Sequence, residues 1–373
     1  MKILEVCTFS AGGCGVWARV KRESLLLARK GHDVRIFTTN LEKGTNKKVS
    51  SHDSMENIPI QRFPAKKLGG ESFTYWNFTK EAKEFHPDLI IVHSYRHTHT
   101  TQALKLAKEI KAKIFLVTHA PFDRNDTRTS LQMWIVKAYD SFIGRHTIKK
   151  FDKILAISKW EIPYLIKLGL KKEDIVYSPN GLPEEFFKGS PKDGDSNLII
   201  YTGRIAPIKN IEVVLQALSL TKNKNLKFSL LGPAELIYLK KLNSLIKSLH
   251  LEKRVAIKDH KYNTKEQIAW LEKGEFFILP SHSEGMPQSL IEALSRKRIV
   301  VASDIPASQD IIQEGNNGFL FKKDSPIELA HILDKLSSLH SNKKKKIKEN
   351  ASNSIKKFNW NTLINKLNNL AKA

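Results

Sequence analysis

Apolar residues along the first half of the chain follow two alternating patterns: short continuous runs, and longer stretches in which they recur every three or four positions. The short runs predict buried strands, and the longer period predicts helices packed against them. A helix is predicted at residues 17–30, with Gly31 after its end, whereas residues 40–67 lack a clear period and predict loops and short strands. The predicted strands are residues 2–7, 33–38, 89–93, 113–118, 153–157 and 175–177.

The same alternation restarts in the second half, after a stretch rich in Gly, Pro and Asp at residues 188–197. We expect the linker between two domains at residues 181–197. Beyond it, strands are predicted at residues 198–202, 227–231, 255–257, 276–279 and 299–302, and helices at residues 210–220, 234–249, 264–271 and 287–295.

Strands that alternate with helices are typical of a parallel sheet with crossover helices. A length of 373 residues favours two such domains. The sequence therefore predicts an α/β fold with two Rossmann-like, doubly wound domains, residues 1–180 and 198–356, and a terminal segment at 357–373. Ligands bind such sheets at the carboxyl ends of the strands, so we expect the two domains to face each other across a cleft.

Composition narrows the class of protein. A hydrophobic content of 41% excludes a disordered chain, and two cysteines exclude a disulfide scaffold and favour a reducing compartment. The formal net charge of +24 is spread over both halves. Nucleic acid, an anionic membrane surface and a phosphorylated substrate all remain open as partners, as does a codon bias toward lysine.

The apolar runs are too short for a membrane span, and Glu5 interrupts the first run too early for a signal peptide. We therefore expect a cytoplasmic protein, with peripheral attachment to the cytoplasmic face of a membrane left open. Residues 134–154 mix apolar and basic side chains, among them Trp134, Phe142, Lys137 and Arg145. Two interpretations are open: a helix that lies on an anionic membrane, or a crossover helix whose apolar stripe is core.

Two loops after predicted strands carry groups that suit an anion. The first strand runs into the glycines Gly12 and Gly13, where backbone N–H groups can approach a phosphate, although a tight turn explains the glycines equally well. In the second half, Arg204 and Lys209 follow strand 198–202. An Arg fork and a Lys point charge together suit a diphosphate, but a chance pair of cations is common in a chain this basic.

A third loop carries paired carboxylates. Glu284 precedes a helix whose first turn is expected to hold Pro287, and Glu292 lies a turn and a half inside that helix. A loop carboxylate can accept hydrogen bonds from substrate hydroxyls, and a helix carboxylate can bind a vicinal diol such as a ribose. The free N–H groups at the start of the helix add an anion site between them.

These motifs resemble glycosyltransferase family 4, the retaining GT-B glycosyltransferases also described as glycosyl transferases group 1. Glu284 and Glu292 have the family's E-x7-E spacing, within a Pro-Ser-x-x-Glu-Gly-x-Pro segment. Weaker matches follow in the family's order from residue 1 to about residue 321. They are the Gly12-Gly13 loop, Gly31-His32-Asp33-Val34, His119, Ile157-Ser158, Pro179-Asn180-Gly181, Gly203-Arg204 with Lys209, and Gly318-Phe319-Leu320.

The resemblance implies roles for the residues that bind a nucleotide-sugar donor. Arg204 and Lys209 would hold its diphosphate and stabilise charge on the departing nucleotide, Glu292 would bind the ribose, and Glu284 would contact the sugar hydroxyls. His119 would lie beside the sugar and the attacking hydroxyl. Backbone groups would complete the donor site at Gly12, Gly13, Gly285, Met286 and Pro287.

The resemblance also implies a reaction without a metal ion or other cofactor, and retention by attack on the front face of the sugar. It further implies that residues 357–373 form a C-terminal helix that crosses back to the N-terminal domain. Met286, Gln288 and Ser289 depart from the family's larger apolar residues, and residues 305–310 lack its commoner glycine pair. These departures bear on the identity of the donor more than on the class of reaction.

The acceptor side is less defined. His93, His97 and His99 have a spacing that superficially fits a metal, but no acidic or cysteine ligand accompanies them, and we interpret them as loop histidines on the acceptor side. Lys66 and Lys67 can contact an anionic acceptor or simply be solvated.

The sequence thus predicts a hexosyltransferase that uses a GDP-mannose or UDP-glucose type donor and a hydroxyl acceptor on a lipid-linked, phosphorylated or anionic glycan molecule. Two alternatives remain: a non-enzymatic nucleic-acid-binding protein, which explains the charge but not the paired glutamates, and a GT-B epimerase or phosphorylase.

Overall fold

The computed structural model describes residues 1–45, 47–122 and 129–373. Its contacts divide the chain into two compact units. Unit 1 comprises Met1–Asn180 and Asn361–Ala373, and unit 2 comprises Gly181–Trp360. Among the described residues, none of the helices combines the length and the hydrophobicity that a bilayer span requires.

Unit 1 is built on an eight-stranded sheet with the order β10-β9-β8-β7-β1-β2-β4-β3. The pairs in this sheet are parallel except for β3 with β4, and β5 and β6 form a separate antiparallel pair. The strands are β1 (Lys2–Val6), β2 (Asp33–Thr39), β3 (His52–Met55), β4 (Ile58–Phe63), β5 (Ala65–Lys67), β6 (Thr74–Trp76), β7 (Leu89–His93), β8 (Lys113–Val117), β9 (Lys153–Ala156) and β10 (Ile175–Tyr177).

Helices cover this sheet because their apolar residues recur on one face. In the first helix, for example, Val20, Leu26 and Leu27 are buried. The helices of unit 1 are α1 (Gly15–Ala28), α2 (Thr79–Phe85), α3 (Thr98–Ile110), α4 (Ser130–Tyr139), α5 (Arg145–Thr147) and α6 (Ile162–Lys167). A π-helical turn, Asp140–Gly144, joins α4 to α5.

Unit 2 is built on a six-stranded parallel sheet with the order β13-β12-β11-β14-β15-β16. Its strands are β11 (Asp195–Thr202), β12 (Lys227–Leu231), β13 (Val255–Lys258), β14 (Gly274–Leu279), β15 (Ile299–Ser303) and β16 (Gly318–Phe321). The remaining helices are α7 (Ile211–Leu220), α8 (Leu236–Ser248), α9 (Thr264–Leu271), α10 (Gln288–Ser295), α11 (Pro306–Gln309), α12 (Pro326–Ser337), α13 (Ser341–Ser354) and α14 (Trp360–Lys372), and most of α14 returns to unit 1.

The structure has the two parallel α/β sheets that the sequence predicts. The predicted bounds of β7, β10, β12 and α9 agree with the structure to the residue. The strand β11 begins three residues earlier than predicted, inside the expected linker. Close packing at a glycine accounts for the longer pairing of β11 with β14, because a Cβ on Gly274 would lie 2.4 Å from the carbonyl oxygen of Leu198.

Candidate active site

In unit 2, the loops that follow β11 and β14 meet at the carboxyl edge of the sheet. The Nζ of Lys209 donates to Oε1 of Glu284 at 2.5 Å, and the Ser281 hydroxyl donates to the same oxygen at 2.7 Å. The backbone N–H of His282 donates to the carbonyl oxygen of Ile208 at 3.0 Å, so the two loops are also joined through their backbones. The structure therefore brings together a cation and a carboxylate that lie 75 residues apart in sequence.

Arg204 lies at the same edge, just after β11. The turn before it needs a glycine, because Gly203 has a φ of 143°. Position 232 needs one too, because a Cβ there would lie 1.9 Å from the carbonyl oxygen of Gly203. The Arg204 Nη1 donates to Oε1 of Glu235 at 3.0 Å, and the two side chains are 59% and 49% exposed. Since such exposed pairs contribute less than about 1 kcal/mol, the guanidinium can exchange this carboxylate for a phosphate at little cost.

Glu292 projects from the second turn of α10. It is 9% exposed, and the Gln267 side chain donates to its Oε2 at 2.6 Å. Burial raises the pKa of Glu292 to about 7, against hydrogen bonds from Gln267 and Gln288 that lower it. The carboxyl group therefore changes charge near neutral pH. Pro287 precedes α10 by one residue instead of lying in its first turn, with Gly285 and Met286 in the loop before it.

The arrangement in unit 2 can hold a ligand with two negative charges. Arg204 and Lys209 supply two cations, and the start of α10 supplies the positive end of a helix dipole. Arg204 is paired with Glu235 and Lys209 with Glu284. A diphosphate would therefore replace these two carboxylates as the partner of each cation.

In unit 1, a cavity of about 580 Å³ opens at the carboxyl ends of β1, β7 and β8. Its wall includes the residues that follow those strands, Thr8, Ser94 and His119. Parallel α/β sheets bind ligands at this edge. Its other lining residues are mostly aromatic and aliphatic, and they include Phe9, Val16, Phe73, Tyr95, Ile135, Val136, Tyr139 and Ile143.

His119 stands in an unusual backbone conformation beside this cavity. Its φ is 58°, and that of Ala120 is 47°. Two consecutive non-glycine residues in the left-handed region are uncommon, and such strain concentrates at functional sites. The Nε2 of His119 lies 3.0 Å from Nδ1 of His93, and burial lowers the pKa of His119 well below its usual value. The ring is therefore neutral at neutral pH.

Several predicted residues lie elsewhere than expected. The interpretation of His93 as an acceptor-side residue is wrong, because its side chain is 0% exposed and it contacts His119 instead of the cavity. Lys66 and Lys67 are exposed on β5 and are not part of the cavity wall. No group of three potential metal ligands is found in residues 1–45, 47–122 and 129–373.

The Gly12-Gly13 loop connects β1 to α1. Gly12 has a φ of 83°, and a Cβ there would lie 2.6 Å from the carbonyl oxygen of Lys43, so the fold itself requires this glycine. A Cβ on Gly13 would meet no atom within 4 Å. The turn therefore explains Gly12, whereas the packing of unit 1 gives no reason for a glycine at position 13.

Sequence reasoning missed an ion pair that lies in the cavity region. Arg96 lines the cavity and binds Asp140 through two nitrogens, with Nε–Oδ1 at 2.8 Å and Nη2–Oδ2 at 2.5 Å. The Tyr95 hydroxyl also donates to Asp140, at 3.0 Å. Position 144, the last of the π-helical turn, requires a glycine, because a Cβ there would lie 2.0 Å from the Tyr95 hydroxyl oxygen. Residue spacing carries no signal for such a pair, since its members are 44 residues apart.

Of the two interpretations of residues 134–154, the one in which the apolar stripe is core fails for α4 and the π-helical turn. All ten residues of α4 are described, and none of them is buried. We call Leu131, Trp134, Ile135, Phe142 and Ile143 the apolar patch, and they are 67%, 67%, 41%, 78% and 47% exposed. Exposed cations lie along the same segment, at Lys137, Arg145, Lys149 and Lys150.

Comparison with known proteins identifies the family. The profile described as Glycosyltransferase Family 4 matches residues 14–186, and that described as Glycosyl transferases group 1 matches residues 183–354. The chain belongs to glycosyltransferase family 4. The resemblance predicted from Glu284 and Glu292 is thereby confirmed, and nothing in the comparisons favours the nucleic-acid-binding alternative.

Curated relatives agree with this family. The uncharacterized glycosyltransferases MJ1178 and MJ1069 of Methanocaldococcus jannaschii are each 26% identical, over 60% and 89% of this chain. The matched stretch spans 62% of the first relative and 87% of the second. The N-acetylgalactosamine-N,N'-diacetylbacillosaminyl-diphospho-undecaprenol 4-alpha-N-acetylgalactosaminyltransferase of Campylobacter jejuni is 27% identical, over 59% of this chain and 63% of that protein.

Solved structures establish the GT-B fold. The sucrose-phosphate synthase of Thermosynechococcus elongatus matches with a TM-score of 0.80 and 15% identity, over 100% of this chain and 98% of that one. HepE of Anabaena, in complex with UDP and glucose, matches with a TM-score of 0.75 and 16% identity, over 100% and 99%. At these identities, the likeness concerns the fold.

Proposed function

We propose that this family 4 protein transfers a hexose from a nucleotide-diphosphate sugar to a hydroxyl group of a lipid-linked, anionic acceptor, with retention of the anomeric configuration. The observation that carries the proposal is the meeting of Lys209 and Glu284 at the carboxyl edge of the unit 2 sheet. A cation for phosphate and a carboxylate for sugar hydroxyls are the two things that such a donor requires.

The donor site is proposed to use the four residues that the family resemblance singled out. Arg204 and Lys209 bind the diphosphate, and Glu292 binds the two ribose hydroxyls. Glu284, released from Lys209 when the phosphates take over the ammonium group, accepts hydrogen bonds from the hexose. Since the leaving diphosphate gains negative charge in the transition state, the two cations stabilise the transition state more than the ground state.

The reaction is proposed to need no metal ion. Two side-chain cations and the N-terminus of α10 can supply the positive charge that Mg²⁺ would otherwise bring to a diphosphate. Turnover in the presence of a chelator tests this point: full activity supports it, and loss of activity restored by Mg²⁺ contradicts it.

The lipid-linked acceptor is proposed from a continuity of surface in unit 1. Ile135 and Ile143 belong both to the apolar patch and to the wall of the cavity, so apolar surface runs from the exposed face into the cavity. Exposed cations along the same segment suit an anionic headgroup. The undecaprenyl-linked substrate in the name of the Campylobacter relative is consistent with such an acceptor.

A donor screen tests the proposed activity. The purified protein is melted in the presence of UDP- and GDP-sugars, and a ligand at 100 times its dissociation constant stabilises the protein by about 2.7 kcal/mol. The same sugars are then tested for slow release of UDP or GDP. We expect one nucleotide class to raise the melting temperature and to be hydrolysed, and the absence of both effects across the panel contradicts the proposal.

A liposome test addresses the acceptor. Binding to vesicles with anionic lipid should be strong at low salt and weaker at high salt, because salt screens the charges. Replacing Trp134 and Phe142 together by Ala should weaken binding about a hundredfold or more, as each side chain loses roughly 1.5–3 kcal/mol of burial in the bilayer. Equal binding to neutral vesicles, or unchanged binding of the double variant, contradicts this part of the proposal.

A further inference from the structure

A buried chain of three side chains connects the interior of unit 1 to its cavity. The Oε2 of Glu5 lies 2.7 Å from Nε2 of His93, and Nδ1 of His93 lies 3.0 Å from Nε2 of His119. Glu5 and His93 are both 0% exposed, whereas His119 lines the cavity. Both ring nitrogens of His93 are thus engaged. Among the described residues, the ring of His119 has a hydrogen-bonding partner only at Nε2, which leaves Nδ1 for a ligand.

The charge around Glu5 determines where the protons of this chain reside. Arg19 donates from Nε to Oε2 of Glu23 at 2.8 Å, and both side chains are buried, so these two form a neutral ion pair. Glu5 is a second carboxyl group in the same cluster, and it has no cation of its own. Burial raises its pKa to about 8, against the field of Arg19, which lowers it. At neutral pH, Glu5 is therefore a carboxylic acid.

Each proton in the chain then follows from the one before it. A carboxylic acid donates its O–H to Nε2 of His93, so His93 must accept at that nitrogen. Burial lowers the pKa of His93 to about 3, so the ring is neutral and has a single proton, which must be on Nδ1. Nδ1 donates to Nε2 of His119, and the single proton of the neutral His119 ring is therefore on Nδ1 as well.

We propose that Glu5 and His93 are positioning residues that hold the proton of His119 on Nδ1, so that His119 meets its ligand in the cavity as a hydrogen-bond donor. Resting on the proposed function, that ligand is an oxygen atom of the substrate that enters the unit 1 cavity. When Glu5 loses its proton, every bond in the chain reverses: His93 donates from Nε2 to the carboxylate, His119 donates from Nε2 to His93, and Nδ1 of His119 becomes an acceptor.

Other charged groups near the chain do not change this direction. On α1, Arg19 and Glu23 form an ion pair at 2.8 Å, and burial raises the pKa of Glu23 as well, against the charge and hydrogen bond of Arg19, which lower it. From the cavity side, His97 and Lys43 act on His119. On α3, His99 donates from Nε2 to the carbonyl oxygen of His93 at 2.8 Å, and burial lowers its pKa to about 4. From the loop after β1, Cys7 has a thiol pKa that burial raises. Because the Arg19 guanidinium binds Glu23 directly and Glu5 instead contacts the neutral ring of His93, we assign the step near pH 8 to Glu5.

The test is ¹⁵N NMR of the full chain labelled in its histidine rings, in which chemical shifts distinguish protonated from unprotonated nitrogens. Single His93→Asn and His119→Asn variants assign the signals. In the wild-type protein at pH 7, both rings should be neutral with the proton on Nδ1. Above about pH 8, both protons should move to Nε2 in the same titration step. A proton on Nε2 of His119 at pH 7, or a charged ring, overturns the proposal.

A Glu5→Gln variant tests the role of the carboxyl group, because its side chain has nearly the same shape but no proton to lose. The step near pH 8 should vanish from the His93 and His119 signals, and its persistence overturns the proposal. His32→Asn is the matched control, since His32 bonds to Asn368 away from this cluster, and the step should remain there. If Glu5→Gln fails to fold, the titration of the wild-type protein decides alone.

Turnover gives a second readout that a purely structural role would not move. The form of His119 that donates a hydrogen bond from Nδ1 disappears as Glu5 ionises. The wild-type kcat should therefore fall above pH 8 by about tenfold per pH unit. In Glu5→Gln, kcat should not show this fall. The NMR experiment needs no substrate. If the protein has no transferase activity, the proposed function is wrong, and the positions of the ring protons measured by NMR still confirm or overturn this inference.

Discussion

The side chains at the carboxyl edges of the two sheets differ in charge and in burial. In unit 2, the important side chains are charged, partly exposed and paired with each other: Lys209 and Glu284 are 18% and 13% exposed, and Arg204 is 59% exposed. In unit 1, the groups behind the cavity are fully buried and held neutral by burial, as in His93 and Glu5. This difference fits the two proposals made above, in which the charged side chains of unit 2 bind an anion and the buried side chains of unit 1 hold protons in fixed positions.

The largest effect is expected from removing the exchangeable cations of unit 2. Arg204→Ala and Lys209→Ala should each lower donor turnover about 10²–10³-fold, as does the loss of one preorganised donor to developing negative charge. Steady-state kinetics with the donor found in the screen measure this. Lys241→Ala is the control, since this exposed lysine pairs with Glu212, and turnover should stay near wild type. Unchanged turnover in both cation variants would show that neither Arg204 nor Lys209 stabilises the departing diphosphate.

A smaller effect is expected at Glu292, the one buried carboxyl group among the four donor-site residues. Glu292→Gln should raise KM for the donor about tenfold, equivalent to about 1.4 kcal/mol, because an amide presents one acceptor oxygen in place of two. Since the pKa of Glu292 is raised to about 7, wild-type donor affinity should fall as the pH drops below 7 and the carboxylate is protonated. In the Gln variant, this pH dependence should be absent.

The matched control for Glu292 is Glu266→Gln, because Glu266 is exposed and pairs with His260. KM and its pH dependence should stay at wild-type values in this variant. A KM that is equally insensitive to both substitutions would show that Glu292 does not touch the donor.

The smallest change in turnover, a severalfold loss, is expected at Gly13 in unit 1, and a comparison with Gly12 sharpens it. Gly12→Ala should destabilise the fold by about 1–3 kcal/mol, because φ is 83° and the Lys43 carbonyl is too close. Gly13→Ala should leave the melting temperature unchanged, since its Cβ meets open space, and should lower turnover if a ligand approaches this backbone. Full activity of a stable Gly13→Ala protein would show that the donor does not reach this loop.

The contrast between the two edges also explains which parts of the site the sequence could predict. The proposed donor-site residues of unit 2 fall in short local motifs, such as the eight-residue interval from Glu284 to Glu292, directly after recognisable strands. Local spacing and a strand end are enough to find them.

The residues of unit 1 could not be found in this way. Glu5 and His93 belong to separate strands, 88 residues apart, and their contact depends on the pairing of β1 with β7. The sequence also does not show whether the side chain of a strand residue faces a cavity or a covering helix, because this depends on how the helices pack on the sheet. For this reason His93 was predicted to contact the acceptor, although its side chain is buried and contacts His119 on the side away from the cavity.

The apolar patch shows the same limit from the opposite side. Periodicity alone does not say which side of a helix is covered, so Trp134 and Phe142 fitted a buried stripe as well as a membrane face. The exposure of both side chains in the structure excludes the buried stripe for these two residues, and the membrane face stays a proposal.

A crystal structure of the protein with the nucleotide-sugar identified by the screen tests the proposed donor site most directly. We expect the diphosphate within hydrogen-bonding distance of Arg204 and Lys209, the ribose on Glu292, and the hexose on Glu284, with the Lys209–Glu284 contact opened. A donor bound with its diphosphate away from both cations would contradict this proposal.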